Sequence, residues 1–300
     1  MKPLHRTILT ALVALPLLAA LSACSPLAVL NGLSSGAGSQ VSSDLPYGAG
    51  PRQRLDVYRP QISNGSAPVV LFFYGGNWSR GARADYAFVG HALAARGIVA
   101  VVADYRLYPE VRYPEFVRDS ASAAAWTVRH AAEYGGDPKR IFVMGHSAGA
   151  YNAAMLALDG TWLQQQGLSP AALRGWIGLA GPYDFMPIKN VDVRPVFFFP
   201  DTPPSSQPIN HVSKASPPAL LIAAQKDTLV DPARNTGGLA RRLRESGVPV
   251  SEMYFDNVSH ASLIATLSGP LRMLAPTLDA IETFVRNNAD RTIGAKPASQ

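Results

Sequence analysis

Short apolar runs that alternate with helical patterns constrain the fold of this chain more than any other feature of its sequence. From about Tyr47 onward, runs of apolar and β-branched residues end at Gly, Pro or charged residues. Continuous apolar runs of this length are typical of parallel strands that are buried on both faces. They predict buried strands at residues 68–74, 97–105, 140–145, 175–181, 218–225 and 250–255, and an edge strand at 54–60.

Longer helical patterns lie between these runs. They cover residues 85–97, 114–136, 148–158, 231–247 and 269–288. Strand and helix in alternation predict right-handed βαβ units and an α/β sandwich, in which a mostly parallel sheet carries helices on both faces. The proline-rich stretch 182–218 follows neither period. It predicts a short irregular insertion over one edge of the sheet, near the functional site.

Composition and charge limit the class of protein. An apolar content of 47% with 16% charged residues over 300 positions is typical of a globular chain. The formal charge of +6 includes Lys2 and Arg6, which belong to the N-terminal segment described next. The rest of the chain lacks long basic blocks, which argues against a nucleic-acid partner. The sequence does not indicate an oligomeric state.

The N-terminal segment has the pattern of an export signal. Basic residues precede an apolar stretch at 8–20, which is followed by Leu21-Ser22-Ala23-Cys24. The stretch is shorter than the roughly 20 residues that span a bilayer as a helix. These four residues resemble the bacterial lipobox, which implies a signal at 1–23, cleavage before Cys24 and a diacylglycerol on its sulfur. A plain secretory peptide with an incidental cysteine is the alternative.

The lipobox resemblance also suggests where the protein resides. It implies an exported bacterial protein anchored by lipid to a membrane of the cell envelope, on the periplasmic or the outer-membrane side. Cys24 is the only cysteine, so an intramolecular disulfide is impossible. The Ser- and Gly-rich stretch 24–46 predicts a flexible tether. A globular domain is then predicted at 47–290 and a flexible tail at 291–300.

The stretch Gly145-His146-Ser147-Ala148-Gly149 carries the strongest functional signal. It ends a predicted buried strand and opens an alanine-rich helical pattern. The pattern G-x-S-x-G on a sharp strand-to-helix turn is a nucleophile elbow, in which the serine lies at the carboxyl edge of the sheet. Strain is expected at Ser147, and a Cβ at either glycine is expected to clash. Ser147 is therefore the candidate nucleophile.

A serine hydroxyl needs a base and an orienting carboxylate, which follow the serine in the order acid and then histidine in this kind of fold. Of six histidines, His260 lies in a loop after the last predicted strand, and the side chain of His146 should point away from Ser147. Asp227 directly follows the strand at 218–225 and is the preferred acid. Asp231 precedes Pro232 and has the pattern of a helix N-cap.

Backbone donors for a developing oxyanion are predicted on both sides of Ser147. One is the N–H of Ala148, the residue after the nucleophile. The other comes from the loop after the strand at 68–74, where the N–H groups of Gly76 and Asn77 are the candidates. The sequence has no H-x-x-x-H motif, cysteine cluster or paired acidic site, so we predict neither a metal nor a cofactor.

In the order of its motifs, the chain resembles the α/β-hydrolases. It is most similar to the bacterial carboxylesterase branch near the hormone-sensitive-lipase-like and feruloyl-esterase-like enzymes, over about residues 47–288. The resemblance rests on six motifs: YGGNW, DYRLYPE, GGDPKRI, GHSAGA, QKDTLVD and NVSHAS. Relatives read His-Gly-Gly-Gly-Trp where this chain has Tyr74-Gly75-Gly76-Asn77-Trp78. This departure puts the shape of the pocket in question, and Tyr74 is expected to fill the place of the histidine. Asp104, Arg106 and Asp137 are expected to form scaffold contacts.

The resemblance implies an α/β-hydrolase fold and a serine carboxylesterase that cleaves small to medium esters through an acyl-enzyme. Aromatic residues are candidates for an apolar substrate pocket, among them Trp78, Tyr108, Tyr183 and Phe198. The run Val196-Phe197-Phe198-Phe199 has a second interpretation, which is packing of the insertion on the body. An amidase or arylformamidase with the same residues is one alternative function. A non-catalytic envelope lipoprotein on a hydrolase scaffold is another.

Overall fold

The structure, a computed structural model, describes residues 26–34, 38–62 and 66–290. These residues form one sheet of eight strands in the order β1-β2-β4-β3-β5-β6-β7-β8. Strands β1 and β2 are antiparallel to their neighbours, and the other six are parallel. The strands are β1 Ser39–Pro46, β2 Arg54–Pro60, β3 Ala67–Phe73, β4 Val99–Ala103, β5 Gly136–His146, β6 Leu173–Leu179, β7 Ala219–Ala224 and β8 Val250–Phe255.

Helices follow the parallel strands, as the sequence predicts. They are α1 Pro26–Leu33, α2 Ala87–Ala94, α3 Glu115–His130, α4 Ala148–Leu158, α5 Thr161–Gln165, α6 Gly238–Glu245, α7 His260–Ala265 and α8 Thr277–Ala289. Every residue of β4 and β7 is buried, so helices cover both faces of the sheet there. The predicted fold class, an α/β sandwich around a mostly parallel sheet, is confirmed.

The edges of the sheet differ from the prediction. Strand β2 was predicted at an edge, but it lies between β1 and β4. Strand β8 was predicted as a buried run, but its residues alternate between partly buried and exposed because it is the last strand of the sheet. An edge strand has a neighbour on one side only, and its outer face remains accessible to water.

The stretch predicted as a tether contains ordered elements, so that prediction is wrong for the described residues of 26–46. Helix α1 packs through Leu30, and the side-chain amide of Asn31 bonds to the backbone of Ala84 and Phe88. Strand β1 pairs along β2, and Asp44 forms an ion pair with Arg83 at 2.7 Å. Backbone pairing and this ion pair hold a polar segment whose composition predicts flexibility. The predicted signal 1–23, Cys24 and the predicted tail 291–300 lie outside the described residues.

Proline interrupts the last predicted helix. The pattern 269–288 is divided into a 3₁₀ helix at Gly269–Leu274 and helix α8. Pro276 lies between them and has no N–H to donate to a helical hydrogen bond. No helix in the ranges that the structure covers has the length and apolar character needed to cross a bilayer.

The insertion at 182–218 is irregular, as predicted, and the edge of the sheet that it covers is the one at which the parallel strands end. Its buried Phe197 packs edge-on against Trp78 and Tyr151, with ring centroids 4.8 and 5.5 Å away. Trp78 follows the central strand β3, and Tyr151 lies on α4, which follows the central strand β5. The insertion therefore covers the carboxyl ends of the central strands, where open α/β sheets bind their ligands.

Candidate active site

Ser147 lies on a strained turn between β5 and α4. Its backbone has φ 54° and ψ −122°, a conformation that non-glycine residues rarely adopt. A Cβ at Gly145 would lie 2.1 Å from the backbone of Gly149, and a Cβ at Gly149 would lie 2.0 Å from the carbonyl oxygen of Phe73. The strain and the two clashes predicted from the motif are confirmed. Both glycines allow helix α4 to start against the ends of β3 and β5.

His260 links Ser147 to Asp227. Its Nε2 atom is 2.8 Å from Oγ of Ser147, and its Nδ1 atom is 2.7 Å from Oδ2 of Asp227. An ionised carboxylate only accepts hydrogen bonds, so Nδ1 carries the proton and Nε2 is left to accept from the serine hydroxyl. The three residues come from the ends of β5, β7 and β8, which the parallel sheet brings to one edge.

Hydrogen bonds keep Asp227 ionised. Burial alone would raise the pKa of this carboxyl, but hydrogen bonds from His260 and from the backbone of Val230 and Leu229 lower it below its usual value. The two backbone amides donate to Oδ1 at 3.0 and 2.9 Å. The loop after β7 therefore fixes one oxygen of the carboxylate and leaves the other for the imidazole.

Asp231 has the capping role predicted for it. Its Oδ1 atom accepts from the backbone N–H of Arg234 at 3.1 Å, three residues further on. Asp231 also lines the cavity beside Ser147. Its carboxylate lies next to the cavity, but the contact with His260 belongs to Asp227.

The other described histidines contact groups away from Ser147. His91 Nδ1 bonds to Ser39, His130 Nδ1 bonds to Glu133, and His211 Nε2 donates to the carbonyl of Ser205. His146, the neighbour of Ser147 in the chain, has its Nε2 atom 2.9 Å from the carbonyl oxygen of His260. The sequence predicted that this side chain points away from the serine, but gave no signal for its contact with His260.

The residues predicted to carry the oxyanion donors lie at the start of α4 and in the loop after β3. Ala148 is the first residue of α4, and the first N–H groups of a helix have no intrahelical acceptor. On the other side, Gly76, Asn77 and Trp78 have φ values of 134°, 54° and 57°. A Cβ at Gly76 would lie 2.2 Å from the carbonyl oxygen of Arg80, so only glycine fits this tight loop. Asn77 and Ala148 both line the cavity with Ser147.

A cavity of about 250 Å³ opens beside Ser147. Its lining combines polar groups with apolar side chains, and the apolar part is formed by Trp78, Phe185, Ile188, Val193 and Leu229. Three of these residues belong to the irregular insertion, where neither helical nor strand periodicity shows which side chains point inward. An apolar wall of this kind suits the hydrocarbon part of a small ligand.

Of the four predicted pocket aromatics, only Trp78 lines this cavity, and the other three predictions need correction. Tyr183 is fully buried and packs on Trp176, because the chain turns after Gly181 and its ring folds back over Gly178 of β6. Tyr108 is not among the lining residues and faces the guanidinium of Arg112. Phe198 is 41% exposed and lies on the outer side of the insertion, against the same arginine.

Trp78 is held rigidly in the cavity wall. Its indole N–H donates to Oδ1 of the fully buried Asn152 at 3.0 Å. Its ring also contacts four aromatic rings, those of Phe116, Tyr151, Phe185 and Phe197. Aromatic contacts of this type stabilise a defined geometry in addition to the apolar area they bury.

Polar contacts hold the scaffold residues that were predicted from the sequence. Tyr74 donates from its hydroxyl to Oδ1 of Asp104 at 2.8 Å, and Arg83 pairs with Asp104 as well. Arg106 forms an ion pair with the buried Asp119, and Asp137 accepts from the backbone of Lys139. The scaffold contacts predicted for Asp104, Arg106 and Asp137 are confirmed. Within the described ranges, no group of three or more His, Cys, Asp or Glu residues is arranged to hold a metal ion.

Comparisons with known proteins identify the family of this chain. The family model described as BD-FAE matches residues 55–243. The probable isoprenylcysteine alpha-carbonyl methylesterase ICMEL1 of Arabidopsis thaliana is 30% identical over 280 residues, which is 85% of this chain and 58% of the relative. Esterase LipQ of Mycobacterium tuberculosis is 30% identical over 279 residues, with 86% of this chain and 65% of the relative covered. The chain thus spans less than two thirds of the length of these curated relatives.

Solved esterase structures share the fold. The hyperthermophilic esterase from Pyrobaculum calidifontis superposes with a TM-score of 0.73 at 24% identity, covering 87% of this chain and 90% of its own. A thermostable esterase from Pseudomonas putida gives a TM-score of 0.67 at 25% identity, with coverages of 91% and 94%. From the BD-FAE match over more than half of its length and the shared architecture, this chain belongs to the BD-FAE family and has the α/β-hydrolase fold of esterases.

Proposed function

We propose that this protein is a serine carboxylesterase that hydrolyses small to medium carboxylic esters through an acyl-enzyme. The observation that carries the proposal is the pair of hydrogen bonds that runs from Ser147 through His260 to Asp227. The family match and the esterase names of the relatives support the same reaction class.

The first half of the proposed reaction forms the acyl-enzyme. His260 Nε2 takes the proton of the Ser147 hydroxyl as Oγ attacks the ester carbonyl. Asp227 holds the reactive tautomer of His260 and stabilises the imidazolium without taking its proton. The imidazolium then protonates the alkoxide of the leaving alcohol, the C–O bond of the ester breaks, and the acyl group remains on Ser147.

The second half releases the acid. His260 takes a proton from water, and the hydroxide attacks the acyl carbonyl. The bond between the acyl carbon and Oγ of Ser147 then breaks, His260 returns the proton to Oγ, and the carboxylic acid leaves. In both halves the negative oxygen is stabilised by the backbone N–H groups of Ala148 and of Gly76 or Asn77. Removing one such donor typically lowers kcat on the order of 10²-fold or more.

The cavity supports a modest apolar acyl or alcohol group. Its volume of about 250 Å³ and the rigid wall formed by Trp78 limit the length of chain that fits beside Ser147. Hydrolysis of p-nitrophenyl esters of increasing acyl length by the purified chain tests this. We expect kcat/KM to be highest for short acyl groups and to fall once the cavity is filled. A steady rise up to long acyl chains would contradict the size assignment.

Replacement of the nucleophile tests the reaction itself. Ser147→Ala should lower kcat on the order of 10⁶-fold with the fold retained, as in serine hydrolases that lose the nucleophile. Ser122→Ala on α3 serves as the matched control and should keep full activity, because this partly buried hydroxyl bonds only to the Arg118 carbonyl of its own helix. A fluorophosphonate probe should label the wild-type protein and the control but not Ser147→Ala. Undiminished turnover by Ser147→Ala would exclude this mechanism, and an unlabelled wild-type protein would favour a non-catalytic binding role.

An amidase or arylformamidase would use the same groups, because the acyl transfer differs only in its leaving group. A matched pair of substrates that share one acyl group, one an ester and the other an amide, separates the two functions. We expect turnover of the ester and little turnover of the amide. Faster cleavage of the amide would replace the proposed function by this alternative.

We also propose that the mature protein begins at Cys24 and is anchored by lipid to a bacterial envelope membrane. The support is the sequence Leu21-Ser22-Ala23-Cys24 after a basic and an apolar segment. Wild-type cells should incorporate labelled palmitate into the protein, and the protein should sediment with membranes. Cys24→Ala should lose the label. Palmitate incorporation by Cys24→Ala, or none by the wild-type protein, would contradict the anchor.

A further inference from the structure

His146 joins the nucleophile turn to the backbone of the proposed base. It is the last residue of β5 and only 5% exposed. Its Nε2 atom lies 2.9 Å from the carbonyl oxygen of His260, which opens α7. The residue next to Ser147 in the chain therefore contacts the main chain of the residue that receives the Ser147 proton in the proposed reaction.

The direction of this hydrogen bond follows from its acceptor. A carbonyl oxygen only accepts, so Nε2 of His146 carries the proton and donates it. The Nδ1 atom of His146 has no hydrogen-bond partner in the part of the chain that the structure describes. Nδ1 faces Gly75, where a Cβ would lie only 3.1 Å from this atom and 2.9 Å from Cβ of Ser147. The loop after β3 therefore packs closely against His146 and Ser147, and Gly75 permits that approach.

The charge state of His146 suits a permanent donor. Burial, and next the charge of His260, lower the pKa of His146 to about 3. The imidazole is therefore neutral at pH 7. Neutral His146 keeps its Nε2 proton on the carbonyl, and a proton gained at Nδ1 would be buried without an acceptor.

We propose that His146 is a positioning residue for the esterase reaction. Its Nε2–H fixes the backbone of His260, so that the imidazole stays 2.8 Å from Ser147 while its Nδ1 remains on Asp227. This inference rests on the proposed function. His146 does not line the cavity, so it acts on the proton transfer and not on substrate binding.

The test compares variants at position 146 that differ in the donor. His146→Phe keeps a planar ring and removes the donor, whereas His146→Gln offers an amide N–H at about the reach of Nε2. We expect His146→Phe to lower kcat on the order of 10²-fold, the usual effect of a displacement of about 1 Å, with KM unchanged. His146→Gln should keep kcat within about fivefold of the wild-type value, which is the rescue expected for a donor that reaches the same carbonyl.

A control variant at a second histidine distinguishes a loss of kcat caused by misplacement of His260 from a general loss of stability. His91 is partly buried and bonded through its ring to Ser39, but it lies on α2 away from the site. His91→Phe should lower the melting temperature and leave kcat unchanged. If His146→Phe does not fold, His146→Asn replaces it, since the shorter amide does not reach the His260 carbonyl. His146→Asn should then show the loss of kcat that His146→Gln avoids.

Each outcome decides between the inference and its opposite. A wild-type kcat in His146→Phe would overturn the positioning role. It would also be overturned if His146→Gln lost as much kcat as the variant without the donor. A loss that appears in KM alone would overturn it as well. If the wild-type protein neither turns over esters nor reacts with a fluorophosphonate, the proposed function itself fails. If the wild-type protein turns over esters and His146→Phe keeps the wild-type kcat, only the positioning role is rejected.

Discussion

Two aspartates four residues apart illustrate how single residues acquire different tasks at this site. Asp227 comes directly after β7, and one of its oxygens is held by two backbone amides while the other faces His260. Asp231 precedes Pro232, and its carboxylate caps the following helical turn. The sequence motif contains both residues, so the backbone path of the loop decides which carboxylate meets the histidine.

Replacement of each aspartate by asparagine distinguishes their roles. Asp227→Asn should lower kcat on the order of 10⁴-fold, because the amide favours the wrong tautomer of His260. Asp231→Asn should retain most of the activity, since Asn is also a good N-cap residue. Steady-state kinetics of both variants on one p-nitrophenyl ester provide the measurement. If Asp231→Asn were the inactive variant and Asp227→Asn the active one, the acid would be assigned to the wrong residue.

Gly149 is the residue at which added volume should be least tolerated. A methyl group there would lie 2.0 Å from the carbonyl oxygen of Phe73, which belongs to the backbone of a central strand. Gly149→Ala should therefore destabilise the fold by about 1–3 kcal/mol and displace the nucleophile turn. Gly269→Ala is the control, since an added methyl there meets nothing within 4 Å. Equal melting temperatures for the two variants would contradict the clash.

Strand β1 is an element that its amino-acid composition does not indicate. Its residues read Ser-Gln-Val-Ser-Ser-Asp-Leu-Pro, and they are exposed or only partly buried. The strand exists because its backbone pairs with β2 and because Asp44 reaches Arg83, which also binds Asp56 and Asp104. These partners are distant in the sequence, and a local pattern does not indicate them.

Removal of this element should weaken the domain. A chain that begins at Tyr47 lacks α1 and β1 and therefore also the buried Leu30. Strand β2 would then become the edge strand, paired only with β4. We expect its melting temperature to lie at least roughly 5 °C below that of a chain that begins at Pro26, since about 1 kcal/mol shifts the melting temperature of a domain this size by about 2–4 °C. Equal melting temperatures by calorimetry would restore the interpretation of this stretch as a tether.

The elements that sequence reasoning predicted correctly share a local cause. Strands β3, β4, β5, β6 and β7 each contain an apolar run, and the burial of that run is visible in the residues themselves. Ser147, Asp227 and His260 follow such strands at the edge where parallel strands end together, so their proximity could also be expected. The pocket could not, because Phe185, Ile188 and Val193 lie in an aperiodic segment and tertiary packing alone directs their side chains.

At the scale of the whole molecule, the site depends on the sheet as a rigid frame. Three loops that are far apart in the sequence meet at its carboxyl edge, and the insertion closes over them through Phe197 and Trp78. His146 is buried at this edge between the loop after β3 and the start of α7, and its burial has a consequence for stability. A histidine that is neutral when folded and protonated when unfolded makes the folding equilibrium depend on pH.

The sign of that dependence follows from the lowered pKa of His146. Between its ordinary value of 6.5 and about 3, the unfolded chain binds a proton at this residue and the folded chain does not, so the free energy of unfolding falls as the pH falls. At pH 5.0 the expected loss is about 2 kcal/mol relative to pH 7.5. Urea unfolding at both pH values should show this extra loss in the wild-type protein and not in His146→Gln, which has no group to titrate. Parallel losses in the two proteins would mean that His146 gains its proton in the folded state as readily as in the unfolded one.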